Sequence, residues 1–189
     1  MRWRRLDLPG HEEARIEQTT GGWRLTGQVE AEEASVRAQL RYVIECDRDW
    51  RTRRAVVTGS ASEAPIRFEF VADGAGHWTL NGGPLPLVEG ALDIDLGFTP
   101  ATNLLPIRRL GLAVGERADV RTAWVRFPEL RVEALEQSYQ RDAALVFCYD
   151  ALVDGERFRA RLDTDEFGRV LHYEGLWEAE SASPGPDRT

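Results

Sequence analysis

Residues 35–46, SVRAQLRYVIEC, alternate without a break. Val36, Ala38, Leu40, Tyr42, Ile44 and Cys46 fall on one side, and Ser35, Arg37, Gln39, Arg41, Val43 and Glu45 on the other. Successive side chains of a strand point to opposite faces, whereas a helix would scatter these residues around its axis, so the stretch is a long strand with one buried face. The same two-residue period recurs in IRFEF, which sets Ile66, Phe68 and Phe70 against Arg67 and Glu69. It recurs again in FRARLD, which sets Phe158, Ala160 and Leu162 against Arg159, Arg161 and Asp163.

Further strands are expected at residues 23–29, 53–58, 77–80, 91–98, 119–127, 144–150 and 170–177, separated by the turn-forming DRDW, ADGAG, NGG, VDGE and DEFG. PELRVEALEQSYQR, residues 128–141, tolerates a helix by composition, but Leu130, Val132 and Ala134 alternate and favour a strand. The spacing points to an all-β sandwich or barrel with little helix. Leu40 to Arg51 and Phe158 to Arg169 share an Arg, an Asp and an Arg at one constant offset, which fits two similar hairpins on a duplicated plan or chance.

At 189 residues the chain fits a single domain, expected over residues 1–178, and can bury roughly 70% of its unfolded surface. From Ala179 onward, AESASPGPDRT has nothing apolar to anchor it and is expected to be disordered. The net charge of -8 disfavours nucleic acid and anionic membranes as partners. All 24 basic residues are arginine, which excludes lysine Schiff-base chemistry and a P-loop lysine. MRWRR leads into LDLPGHEEARIE with no apolar run, and no stretch approaches the ~20 apolar residues of a spanning helix, so a cytoplasmic protein is expected. Cys46 and Cys148 both fall within apolar strand patterns and are expected as buried thiols.

His11, His77 and His172 lie too far apart to form a metal-ligand pattern, and no nucleophile elbow, phosphate loop or dinucleotide fingerprint is present, so no cofactor and no metal are expected. Asp93 and Asp95 project from one face of a strand. Two nearby carboxylates are the minimum for glycoside hydrolysis, although a solvated outer face carries such acids as well.

After Phe98 the steps Thr99-Pro100 and Leu105-Pro106 remove backbone donors, so the chain must leave the sheet. Thr102 or Asn103 is expected to cap a single helical turn begun near Pro106 and stopped at Gly111, with Leu104, Ile107 and Leu110 inward, as a plug or lid over one end of a barrel. Arg108 and Arg109 beside it suit a phosphate, carboxylate or sugar group, or a structural pairing with Asp93 or Asp95. In WRTRR, alternation sends Arg51 and Arg53 to one face and Trp50, Thr52 and Arg54 to the other. Trp3, Trp23, Trp50, Trp78, Trp124 and Trp177 are spread along the chain and serve either a core or an apolar cavity.

DIDLGFTPATNLLPIRRL, with the upstream DRDWRTR, the later WVRFPELRVEALEQSYQR and the terminal HYEGLW, resembles a glycolipid-binding family of bacterial proteins formerly catalogued as a domain of unknown function. The likeness runs from Trp3 to Trp177. It implies a mainly antiparallel β fold curved into a barrel or half-barrel, similar in outline to periplasmic lipoprotein carriers that hold acyl chains in an apolar cavity. Unlike those carriers, this sequence shows no export signal, and the resemblance supplies no catalytic residues.

The expectation is therefore a cytoplasmic binding protein for a lipid-like or glycolipid-like amphiphile. Thr99, Thr102, Asn103, Arg108 and Arg109 are candidates for the mouth and the polar head, and Trp78, Trp124 and Tyr149 for the lining. An enzyme acting through Asp93 and Asp95 is the alternative, and an interaction protein with a filled interior is a third possibility.

Overall fold

The structure, a computed structural model, describes residues 1–180. The expected disordered tail lies outside the described residues except for its first two: Ala179 pairs with Trp3, and the Glu180 amide donates to the Arg2 carbonyl. Among the described residues, fifteen strands share one sheet. The first eight are β1 (Arg2–Arg5), β2 (Gly10–Gln18), β3 (Gly22–Glu33), β4 (Val36–Asp47), β5 (Thr52–Ala61), β6 (Ala64–Ala72), β7 (Trp78–Leu80) and β8 (Gly83–Pro84). After β9 (Asp93–Leu96) and the helix α1 (Leu104–Leu110) come β10 (Arg117–Arg126), β11 (Arg131–Ala143), β12 (Val146–Val153), β13 (Glu156–Thr164), β14 (Val170–Tyr173) and β15 (Trp177–Ala179).

The strand order runs from β8 down to β1, crosses to β15 and continues down to β9. Every pairing is antiparallel except that of β9 with β10. The ladder does not close, yet the sheet curls until β5 meets β9: the Thr52 amide donates to the Leu92 carbonyl at 2.9 Å, and the Thr52 hydroxyl accepts the Ile94 amide at 3.1 Å. A second hydroxyl bond, from the Leu96 amide to Thr102 Oγ1, satisfies another donor on the free edge of β9.

The face predicted from residues 35–46 is buried from Ala38 to Cys46, with Val36 half-buried at its end. Residues 128–141 are a strand from Arg131 onward, as the alternation favours. Three expectations fail. β1 and β2 were not anticipated, because GHEEARIEQ is too polar to read as a strand. Cys148 is not buried: it faces outward and its Sγ accepts a 2.9 Å bond from Arg159 Nε. Arg54 does not share a face with Thr52, because a bulge inserts Arg53 between the pairs Glu45–Arg54 and Cys46–Thr52. Arg54 therefore turns outward to Glu69 at 2.7 Å while Thr52 is fully buried.

The two hairpins that share an Arg, an Asp and an Arg make the same turn. Asp47 Oδ1 accepts the amides of Asp49 and Arg51, both at 3.0 Å, and Asp165 Oδ1 accepts those of Phe167 and Arg169 at 3.0 and 2.9 Å. The matching bulges fall between Glu45 and Cys46 in one copy and between Asp163 and Thr164 in the other. Gly168 has φ +95°, which glycine adopts freely; its counterpart Trp50 sits at φ 67°, where a bulky residue is an outlier.

From Phe98 to Ile107 the chain fills the interior of the curled sheet: Phe98, Ala101, Leu104, Leu105 and Ile107 are all buried. Each large apolar side chain placed there contributes about 1.5–3 kcal/mol. The helical stretch starts earlier than predicted, with a 3₁₀ turn over Ala101–Asn103 running into α1, and neither Thr102 nor Asn103 caps it. Pro106 is tolerated because it lies in the first turn, where amides have no partner inside the helix. Gly111 ends the helix at φ 56°.

Since the two aspartate turns make the same bonds, Asp47→Ala and Asp165→Ala are each expected to cost about 1–2 kcal/mol, measured by urea unfolding. Loss in only one of them would show that the turns are not energetically equivalent.

Candidate functional site

The segment filling the interior carries polar groups, and the sheet answers each one. Asp93 has no exposed surface, and Arg109 Nε donates to both of its oxygens at 3.0 Å while Nη2 reaches Oδ2 at 2.5 Å. Burial raises the Asp93 carboxyl, and Arg109 offsets part of that rise. Asp95, half-buried two residues on, accepts a bond from Gln137 Nε2; burial raises its pKa to about 6, with Gln137 and Thr102 acting in the opposite direction. The solvated outer face considered for this pair is therefore not observed. The two carboxylates take separate partners, and neither oxygen of Asp93 is free. Asn103 accepts the Tyr139 hydroxyl at 2.8 Å and donates to the Pro100 carbonyl at 3.0 Å.

A third buried acid went unread in the sequence. Glu12 is 1% exposed, and its two oxygens accept the Tyr42 hydroxyl at 2.5 Å and the Thr99 hydroxyl at 2.6 Å. Glu12 shares its parity with Ala14 and Ile16, so treating GHEEARIEQ as a strand would have turned it inward. Gly27 makes the arrangement possible, because a Cβ there would stand 2.3 Å from the Tyr42 ring. Burial raises Glu12 to about 7 against the pull of both hydroxyls, and it holds the Tyr42 hydroxyl well above its ordinary range.

An opening of about 290 Å³ remains between the filling segment and the inner wall. Trp3, Ala14, Ile16, Leu25, Leu104 and Val170 form its apolar surface, and Arg15 and Arg169 line it with charge. The Trp3 indole is fixed by a 2.8 Å bond to the Val170 carbonyl. A wider groove of about 1000 Å³ crosses the outer face between two rows of polar side chains, Arg4, His11 and Glu30 on one side and Glu13, Gln28 and Arg41 on the other. It is open and carries both signs of charge.

None of the ten residues singled out from the sequence lines the apolar opening. Thr99, Thr102 and Asn103 are buried in the filling segment and hydrogen-bonded to the strands, Thr99 to Glu12, Thr102 to the Leu96 amide and Asn103 to Tyr139. Trp78 lies in the core, its indole donating to the Ala91 carbonyl at 2.8 Å, and Trp124 is half-buried beneath Arg126. Tyr149 packs edge-on against Tyr139 and Tyr173. Arg108 lies over Trp50 and Phe167, which together with Trp23 join the tips of the two equivalent hairpins.

Two measurements probe these buried acids. Asp93→Asn is expected to cost about 3 kcal/mol in urea unfolding, since it leaves the mostly buried Arg109 without a counter-ion; an unchanged stability would mean that the pair does not hold the segment. For Glu12, a folded pKa of about 7 above the ordinary 4.5 means that its stabilising contribution is complete below about 4.5 and is lost as pH rises to about 7. The stability of Glu12→Gln relative to the unmodified protein should therefore rise by about 3 kcal/mol from pH 4.5 to 8. A constant difference across that range would refute the raised pKa.

None of the curated proteins matches the chain. Among solved structures, it is similar to the crystal structure of a DUF1089 family protein from Pseudomonas aeruginosa, with 34% identity and a TM-score of 0.80 over 89% of this chain and 92% of that one. Residues 1–179 match the family described as "Putative glycolipid-binding", and the chain belongs to that family.

Proposed function

We propose that this protein binds a lipid-like or glycolipid-like amphiphile, with a short apolar segment entering the opening walled by Trp3, Ala14, Ile16, Leu25, Leu104 and Val170. The carrying observation is that this apolar space stays empty where the rest of the interior is filled by residues 98–107. Its size is near the lower end of small-molecule sites, about 300 Å³. Since roughly 150 Å³ holds a benzene ring, the opening suits about a dozen carbon atoms, a segment of a lipid rather than a whole one.

Arg15 and Arg169 stand at the same opening and supply donors for a polar head. Thr102 and Asn103, two of the head candidates, already hold the Leu96 amide and the Tyr139 hydroxyl. The family description supports an amphiphilic ligand. No helix among the described residues is long and apolar enough to cross a membrane. The cytoplasmic reading is supported by two cysteines that are both free thiols.

A series of n-alkyl glucosides tests the reading. Each methylene buried contributes about 0.8 kcal/mol, so affinity in calorimetry should rise about fourfold per carbon and level off once the opening is full. Ala14→Phe and, separately, Ala101→Leu should shorten the length at which affinity levels off. Affinity independent of chain length, or unchanged by both substitutions, would overturn the proposal.

A further inference from the structure

Most arginines of this chain pair with a neighbouring acid, as Arg24 does with Glu45 and Arg161 with Asp163. Among the described residues, Arg41, Arg48, Arg51, Arg108, Arg141 and Arg159 make no ion pair with a carboxylate. Three of these, Arg48, Arg51 and Arg108, line one open cleft of about 550 Å³ beside Trp50, Leu92 and Arg109. Asp49 is the only acid in that lining, and Arg109 is already committed to Asp93. Positive charge thus collects at one place on a chain whose net charge is -8.

The cleft is built on rigid parts. Arg48 and Arg51 belong to the turn whose amides are held by Asp47 Oδ1, and Arg48 also donates to the Thr20 carbonyl at 3.2 Å. Arg108 is fixed over the faces of Trp50 and Phe167, at 5.4 and 4.8 Å from their ring centres. Trp50 occupies the left-handed backbone position that Gly168 takes in the equivalent turn. Such a conformation costs about 1–3 kcal/mol and persists where surrounding structure enforces it. Here the enforced indole, stacked 4.6 Å from Trp23, is the platform beneath Arg108.

We infer that this cleft binds an oxyanion of the phosphate-ester class, held by Arg48, Arg51 and Arg108. Planar guanidinium forks match phosphate oxygens, and a dianion suits three cations facing a single acid. The phosphate can be carried by a lipid head or by a small water-soluble ester, and the chemistry of recognition is the same. The cleft and the apolar opening have no lining residue in common, so the inference does not rest on the proposed function.

Calorimetric titration of the full chain at low salt with inorganic phosphate, glucose 1-phosphate and octyl phosphate tests it. Binding of each is expected, weakened about tenfold or more by the double substitution Arg48→Glu and Arg51→Glu. Both side chains are exposed, so the fold should persist, which a thermal melt checks. Arg41→Glu, on the outer face away from the cleft, should leave binding unchanged. Tighter binding of octyl phosphate than of the other two assigns the site to a lipid head, and equal binding assigns it to a soluble ester. No binding at millimolar phosphate, an unaffected double variant, or an equal loss in Arg41→Glu would overturn the inference. Phosphate binding without any chain-length dependence among alkyl glucosides would leave this site standing while the amphiphile proposal falls.

Discussion

Residues 98–110 fill a sheet whose hydrogen-bond ladder never closes, and the Asp93–Arg109 ion pair fixes both ends of that segment. Asp93 opens β9 and Arg109 ends the helix, so the pair draws the return of the chain back onto the strand it left. A buried acid and base are costly to desolvate, and here the bidentate contact compensates only while the helix keeps its place. The curled shape follows from the same segment. With β5 and β9 joined by little more than Thr52, the apolar contacts of Phe98, Leu104, Leu105 and Ile107 hold the two halves of the sheet around a common centre.

Polar groups inside that centre are shared between the halves. Thr99 reaches Glu12 on β2, and Asn103 reaches Tyr139 on β11, so the filling segment is hydrogen-bonded to strands from both sides of the β1–β15 junction. Buried polar networks of this kind specify one arrangement, because any slip leaves a donor or acceptor unpaired at a cost of about 1–3 kcal/mol. Among the described residues, the apolar opening lies at the edge of this packing, along β1 to β3.

Two similar hairpin turns build the other end of the molecule. Two hairpins with the same aspartate-held turn meet tip to tip through Trp50 and Phe167, and only one of them carries a tryptophan in the left-handed position. Aromatic contacts and arginines without a carboxylate partner gather where the two tips meet.

Alternation by itself determined the long strands from β3 onward and most of their buried faces, because a two-residue period is a local property of the segment. The X-Pro steps likewise told, without any partner in view, that the chain leaves the sheet after Phe98. Tertiary structure decided the rest. One partner of buried Glu12 is Tyr42, thirty residues along the chain, and it is reachable only because Gly27 leaves room for its ring. The bulge at Arg53 reversed the face of Arg54, and an outward register left Cys148 half-exposed, since register is set between strands rather than within one. Neither the apolar opening nor the arginine cleft could be read along the chain, because each gathers residues from segments far apart in sequence, strands for the opening and a hairpin turn and the helix for the cleft, that only the curled sheet brings together.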